Sequence, residues 1–221
     1  MVQWLTKLFQ KTKPAAQFSA EDEQRYYRLK QAGLEKVLGP MHDLVGHAVV
    51  PFHVGGAVDM YYFPRHLPGT GFATMELIEP DGQGPKPNRI GTYELVAFTR
   101  LPMPALKEKA DANLPFNHIE RRLCHIFTMT GFYSQQAVLA PRETCEIPVE
   151  GQPNRCLILD EYAPNGTGFY IGRRRHCLLL CMEIFRSEME FAIRDGGAML
   201  LAKLKARGHY PYSDLDRQPV V

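Results

Sequence analysis

The stretch His176-Cys-Leu-Leu-Leu-Cys-Met-Glu-Ile184 decides the fold. It is apolar at odd and even positions alike. A strand that is half exposed alternates; one that is apolar on both faces sits in the middle of a sheet with both sides covered. Cys177 and Cys181 lie four apart on it and so point to the same face. Their default role is that of small buried hydrophobes.

Working outward, Arg173-Arg174-Arg175 precedes this strand. The triplet reads as a solvated hairpin end, with contact to an acidic partner surface as the alternative. On the other side, Ser187 and Glu190 have capping-box spacing and predict the start of the last long helix. Gly196-Gly197 inside that helix predicts a break or a close backbone approach. Gly208 ends it.

Three further strands are expected upstream. Val58, Met60 and Tyr62 alternate with Asp59, Tyr61 and Phe63, and Pro64 ends the run. Phe72 to Ile78 forms the second, broken by a Pro/Gly-rich turn at 79–85. Thr92 to Phe98 forms the third, with Tyr93, Leu95 and Ala97 on one face. Strand patterns also fall at 144–149, 155–162 and 168–172. A helix from Ser19 to about Leu38 opens with Asp22 at the third position and stops at Gly39-Pro40. A second helix runs from Asn117 to about Thr128, with Ile119, Leu123, Ile126 and Phe127 on one face. The first 18 residues read as an extension, with Trp4, Leu5, Leu8 and Phe9 at helical spacing, and residues 19–221 as one domain.

Composition narrows the function classes. The 221 residues are 45% hydrophobic and 23% charged, which excludes disorder for the bulk of the chain. Net charge is +2, too small for a global field that grips nucleic acid or membrane. Five cysteines without a C-x-x-C argue against a disulfide scaffold and for a reducing, cytoplasmic setting. No apolar run is long enough for a membrane span.

The chemical motifs are sparse. Gly69-Thr-Gly-Phe72 and Gly166-Thr-Gly-Phe169 are followed by strands rather than helix N-termini, so they read as turns and not phosphate cradles. His118-Ile-Glu120 lacks the Pro-Cys-x-x-Cys that zinc deaminase chemistry needs. His42, His47 and His53 have no ligand spacing, and no metal or cofactor is expected. The polar and aromatic set Asp59, Tyr61, Tyr62 and Glu94 lies on strands and suits a recognition surface.

In their order, these blocks resemble the Suppressor of fused (SUFU) domain family in its small bacterial form. The Val58–Phe63 strand comes first. Phe72–Ile78 and Gly91-Thr-Tyr-Glu-Leu-Val-Ala-Phe98 follow, then a helix bearing Arg121-Arg-Leu. Met182–Glu190 and Asp214-Leu-Asp-Arg217 close the set. Leu114-Pro-Phe-Asn117 stands where the family has Trp-Pro. The resemblance implies an α+β fold of mixed β-sheets flanked by helices, without catalysis. It implies a protein or peptide partner, added as a strand in animal relatives and a toxin domain for immunity-type bacterial members. The resemblance points to Asp59, Tyr61 and Glu94, and the sequence pattern adds Tyr62, Arg173 and Arg174, as candidate partner-binding residues. Glu188, Asp214 and Arg217 are candidate structural residues. The rival readings are an enzyme of hydrolase type using His118, Glu120 or His42, and a dimerisation module using residues 2–9.

Overall fold

A computed structural model describes the chain at residues 18–164, 166 and 168–221. The predicted helix at Trp4–Phe9 lies outside the described residues. Helix α1 (Ala20–Leu38) opens on a full capping box. The Ser19 hydroxyl accepts from the Asp22 N–H at 3.1 Å, and the Ser19 N–H donates to the Asp22 carboxylate at 3.3 Å.

Among the described residues eight strands form one mixed sheet. They are β1 (Val45–Gly46), β2 (Met60–Phe63), β3 (Thr70–Ala73), β4 (Thr92–Thr99), β5 (Thr144–Val149), β6 (Gln152–Glu161), β7 (Phe169–Ile171) and β8 (Arg174–Ile184). The order is β1-β2-β3-β4-β8-β6-β5, and β7 also pairs with β8. Strands β4 and β8 run parallel, and the other pairings among these strands are antiparallel. The stretch read as the central strand is therefore central: β8 lies between β4 and β6.

Apolar packing fills both faces of this sheet. On one face Tyr93, Leu95 and Ala97 of β4 and Leu179 and Cys181 of β8 meet α3 (Pro115–Gln136) through Ile119, Leu123, Ile126 and Phe127. On the other, Val96, Phe98, Leu178 and Leu180 meet Leu34 and Leu38 of α1 and the C-terminal helices α4 (Arg186–Asp195) and α5 (Gly197–Ala206). The short helix α2 (Leu106–Lys109) lies before α3. The same split explains why α3 runs eight residues beyond the expected end at Thr128. Thr130, Gly131 and Ser134 are buried and continue the face, though they are too small or polar to extend an apolar pattern.

Two expectations are corrected. The second strand ends at Ala73, not Ile78. The Thr74 N–H still donates to the Leu95 carbonyl at 3.1 Å, but beyond it the carbonyls of Met75 and Ile78 and the N–H groups of Leu77 and Ile78 turn to a buried ion pair described below. Helix α4 begins at Arg186 and is capped through Glu188, whose carboxylate accepts the Phe185 N–H at 3.0 Å. The Ser187–Glu190 spacing misplaces that start, since Glu188 is the acid held in position by a buried arginine. At Gly196-Gly197 both a break and a close approach occur. Gly196 has φ +100 between α4 and α5, and a Cβ on Gly197 would lie 1.9 Å from the Arg142 carbonyl oxygen.

Candidate functional site

Strand β2 starts at Met60 rather than Val58, so it carries Tyr61 while Asp59 immediately precedes it, and it lies next to β1 at the edge of the sheet. Alternation along β2 sends Tyr62 toward α3 and Tyr61 to the opposite face. Tyr62 is fully buried, and its hydroxyl donates to Glu120, which also pairs with Lys109. Glu94 is fully buried as well. Neither residue reaches solvent, so the expected four-residue recognition surface is reduced to Asp59 and Tyr61.

Glu94 instead forms the polar centre of the molecule. Lys30 Nζ donates to Glu94 Oε1 at 2.7 Å and to the carbonyls of Met75 and Ile78 at 2.6 Å each. The second carboxylate oxygen accepts from the Thr74 hydroxyl at 2.7 Å and the Leu77 N–H at 3.2 Å. The Ile78 N–H donates to Oε1 at 3.2 Å. Both side chains are wholly inaccessible. Every Lys30 proton and both Glu94 oxygens have partners, which is the condition under which a buried pair is tolerated. This pair folds the 74–78 segment into a loop.

That loop projects Glu76 toward Asp59. A cavity of about 380 Å³ opens there, lined by Tyr27, His47, Phe52, Asp59, Tyr61 and Glu76 among others. Asp59 is braced: its Oδ1 accepts the Ala48 N–H at 2.9 Å, and its Oδ2 lies 2.8 Å from His47 Nδ1. Glu76 accepts the backbone N–H groups of Asp59 and of Met75, the latter at 3.2 Å. Burial, and then the nearby Glu94 charge, push the Glu76 carboxyl up to about 8. A second cavity of about 550 Å³, lined by Glu79 and the 82–87 turn, shares Phe52, His53 and Glu76 with the first. The arrangement can place negative charge and aromatic faces around a cationic group.

The remaining candidates sit elsewhere. Arg173 is exposed at the β7–β8 turn and Arg174 is half-buried beside it. Glu188 and Arg217 form a buried pair at 2.6 and 2.8 Å. Asp214 does not pair with Arg217. It accepts the Thr99 hydroxyl at 2.5 Å and the Arg100 N–H at 2.8 Å, fixing the tail to the end of β4. His118 is exposed and lies 3.1 Å from Arg121, while Glu120, two residues on, faces Lys109. His42 Nδ1 accepts the Leu44 N–H at 3.0 Å. These three do not converge, and among the described residues no group of three His, Cys, Asp or Glu could hold a metal ion. No described helix is long and apolar enough to cross a membrane.

The sequence reading missed Lys30, Tyr27 and Glu76. Lys30 carried a signal. It falls on the same helical face as Tyr26, Leu34 and Val37, where a cation demands a buried acid. Glu76 carried none, because inside an assumed strand it read as an ordinary outward polar residue.

No protein-family model matches the chain, and no curated protein matches it. Two solved structures share its fold. A chain of the Sufu–Fu complex crystal structure aligns with a TM-score of 0.57 and 15% identity, over 90% of this chain and 92% of that one. A protein described as a SUFU (suppressor of fused protein) homolog from Neisseria gonorrhoeae FA 1090 aligns with a TM-score of 0.54 and 15% identity, over 90% of this chain and 98% of the other. The chain therefore has the α+β, SUFU-like fold that the ordered motifs imply.

Proposed function

We propose that this domain is a non-catalytic protein-binding module that takes a lysine or arginine side chain of its partner into the Asp59–Glu76 cavity. The observation that carries the reading is the cavity itself. Two carboxyl groups, of Asp59 and Glu76, face it beside Tyr27, Phe52 and Tyr61, and its volume of about 380 Å³ leaves ample room for a side chain. Aromatic faces and carboxylates together favour a cation over an anion or a purely apolar group. The SUFU-like fold supports a binding role, since one structural neighbour is a chain of a complex between Sufu and Fu. In the immunity-type form of this reading, the partner is a toxin domain neutralised by occlusion.

The proposal has a pH signature. Glu76 is neutral below about 8 in the free protein. A bound cation favours its charged form, so binding below that pH releases a proton. Affinity then rises with pH, by at most roughly tenfold per unit, and levels off above about 8.

The test is selection of peptides from a displayed random library on the immobilised full chain, followed by calorimetry. Enriched peptides are expected to share a lysine or arginine. Asp59→Asn with Glu76→Gln is expected to weaken them at least tenfold, because charge-assisted bonds contribute roughly 1.5–3 kcal/mol each. The same pair of changes should remove the rise in affinity with pH. Peptides without a common cation, or binding indifferent to both substitutions, would overturn the reading.

A further inference from the structure

A third cavity, of about 480 Å³, lies against Tyr26, the neighbour in sequence of the Tyr27 that lines the first. It is lined by Tyr26, Pro80, Ile171, Arg173, Arg174 and His176. Its charge is opposite to that of the Asp59–Glu76 cavity. Among the described residues neither Arg173 nor Arg174 forms an ion pair, although Arg175 next to them lies 3.8 Å from Glu161. The Arg174 guanidinium is pressed against Gly82, where a Cβ would lie 2.2 Å from its terminal nitrogen, and its one backbone partner is the Glu79 carbonyl at 3.4 Å. Glu79 itself lines the neighbouring cavity.

His176 makes the cavity chemically specific. Its side chain is fully buried, yet neither ring nitrogen has a hydrogen-bond partner among the described residues. A neutral imidazole has one N–H donor and one bare acceptor, and a buried polar group left without a partner costs about 1–3 kcal/mol. The ring is fixed rather than free to search. It stacks on Phe169 with centroids 5.3 Å apart, and Tyr26 flanks it at 6.0 Å. An imidazole whose ring nitrogens have no partner lines the same cavity as two guanidinium groups without counter-charge, a donor set that lacks its acceptor.

We infer that the Arg173–Arg174–His176 cavity is an oxyanion-binding site, taking a phosphate group or a carboxylate. The guanidinium groups supply charge and forked donors; His176 supplies the buried N–H. The surroundings are electropositive in a second respect. Burial first, and then Lys30 and Arg174, hold the His176 imidazole down to about 4, so its protonated form lacks a nearby stabilising anion. The site is separate from the Asp59–Glu76 cavity and does not depend on the cationic partner proposed for it.

The test is an NMR titration of the full chain with inorganic phosphate and, separately, acetate, against sodium chloride at matched ionic strength. The readout is the assigned His176 ring resonance. A saturable shift is expected with at least one oxyanion and none with chloride. Saturation by phosphate alone assigns a phosphate-class ligand; saturation by acetate, alone or with phosphate, admits a carboxylate. Arg173→Ser with Arg174→Gln should weaken the response at least tenfold. Arg174 packs against the 79–82 turn, so Arg173→Ala on the exposed turn serves as the milder variant, with at least threefold weakening expected. A His176 resonance unmoved by both oxyanions, moved equally by chloride, or unaffected by the arginine substitutions would overturn the assignment.

Discussion

Lys30→Met is expected to destabilise the domain by about 3–5 kcal/mol, because it leaves the Glu94 carboxylate buried without its counter-charge. A domain of ordinary stability has only about 5–15 kcal/mol in all, so this single change approaches the limit of folding. The loss is not confined to the pair. Lys30 also binds the carbonyls of Met75 and Ile78, and Glu94 binds the N–H groups of Leu77 and Ile78. Without the ammonium group the 74–78 loop loses the anchor that turns it from strand to loop and carries Glu76 to its cavity. Urea denaturation measures the effect as a lower midpoint at unchanged slope. The double variant Lys30→Met with Glu94→Gln should recover part of the loss, since the amide keeps an acceptor for the loop N–H groups and no charge remains. A Lys30→Met midpoint equal to the wild type would mean the pair is not formed.

The second large effect lies at the C-terminal tail. Arg217→Met is expected to cost about 3 kcal/mol by leaving Glu188, wholly buried, without its guanidinium. Glu188 also accepts the N–H groups of Phe185 and Val220, both at 3.0 Å, so it caps α4 and holds the tail at once. Burial opposes its ionisation. Its bonds to Arg217 and to those two N–H groups outweigh burial and hold the carboxyl below its ordinary range. A depressed carboxyl binds its proton less readily in the folded than in the unfolded chain. Its stabilisation is therefore fully present above the unfolded-state value and lost as pH falls through the folded one. Thermal unfolding should show the wild type losing this increment on acidification. The Arg217→Met variant should start lower at neutral pH and lose less. Parallel acid profiles for the two proteins would contradict this assignment.

How far the sequence announces these features depends on what each one rests upon. Strand β8 was legible because burial on both faces leaves an uninterrupted apolar run, and α3 because one apolar stripe recurs at helical spacing. The Gly196-Gly197 break was legible because two glycines weaken a helix wherever they fall. The ordered motifs led to a SUFU-like fold that two solved structures share at 15% identity. The end of β3 and the cap of α4 were not legible. Each is set by a residue distant in sequence, Lys30 acting on residues 74–78 and Arg217 acting on Glu188. The candidate site was half legible for the same reason. Alternation placed Asp59 and Tyr61 on strand β2 or beside it, but could not say that Tyr62 and Glu94 face packed helices. Glu76 entered the site only through the loop that the buried pair creates.

The cavities lined by Tyr26 and by Tyr27 have opposite character. The rings of these two tyrosines meet edge to face at 5.7 Å. The Tyr27 cavity presents carboxylates and aromatic rings, the Tyr26 cavity guanidinium groups and an imidazole. A net charge of +2 conceals this contrast, since local patches of opposite sign cancel in the sum.

In the proposed function a partner's cationic side chain enters the Asp59–Glu76 cavity. Amide chemical-shift mapping of the full chain with a library-selected peptide tests it most directly. Saturable shifts are expected at residues 47–48, 52–53, 59–61 and 76, abolished when the peptide's lysine or arginine is replaced by alanine. Shifts clustered on another face, or a cluster at this one that survives the alanine replacement, would contradict it.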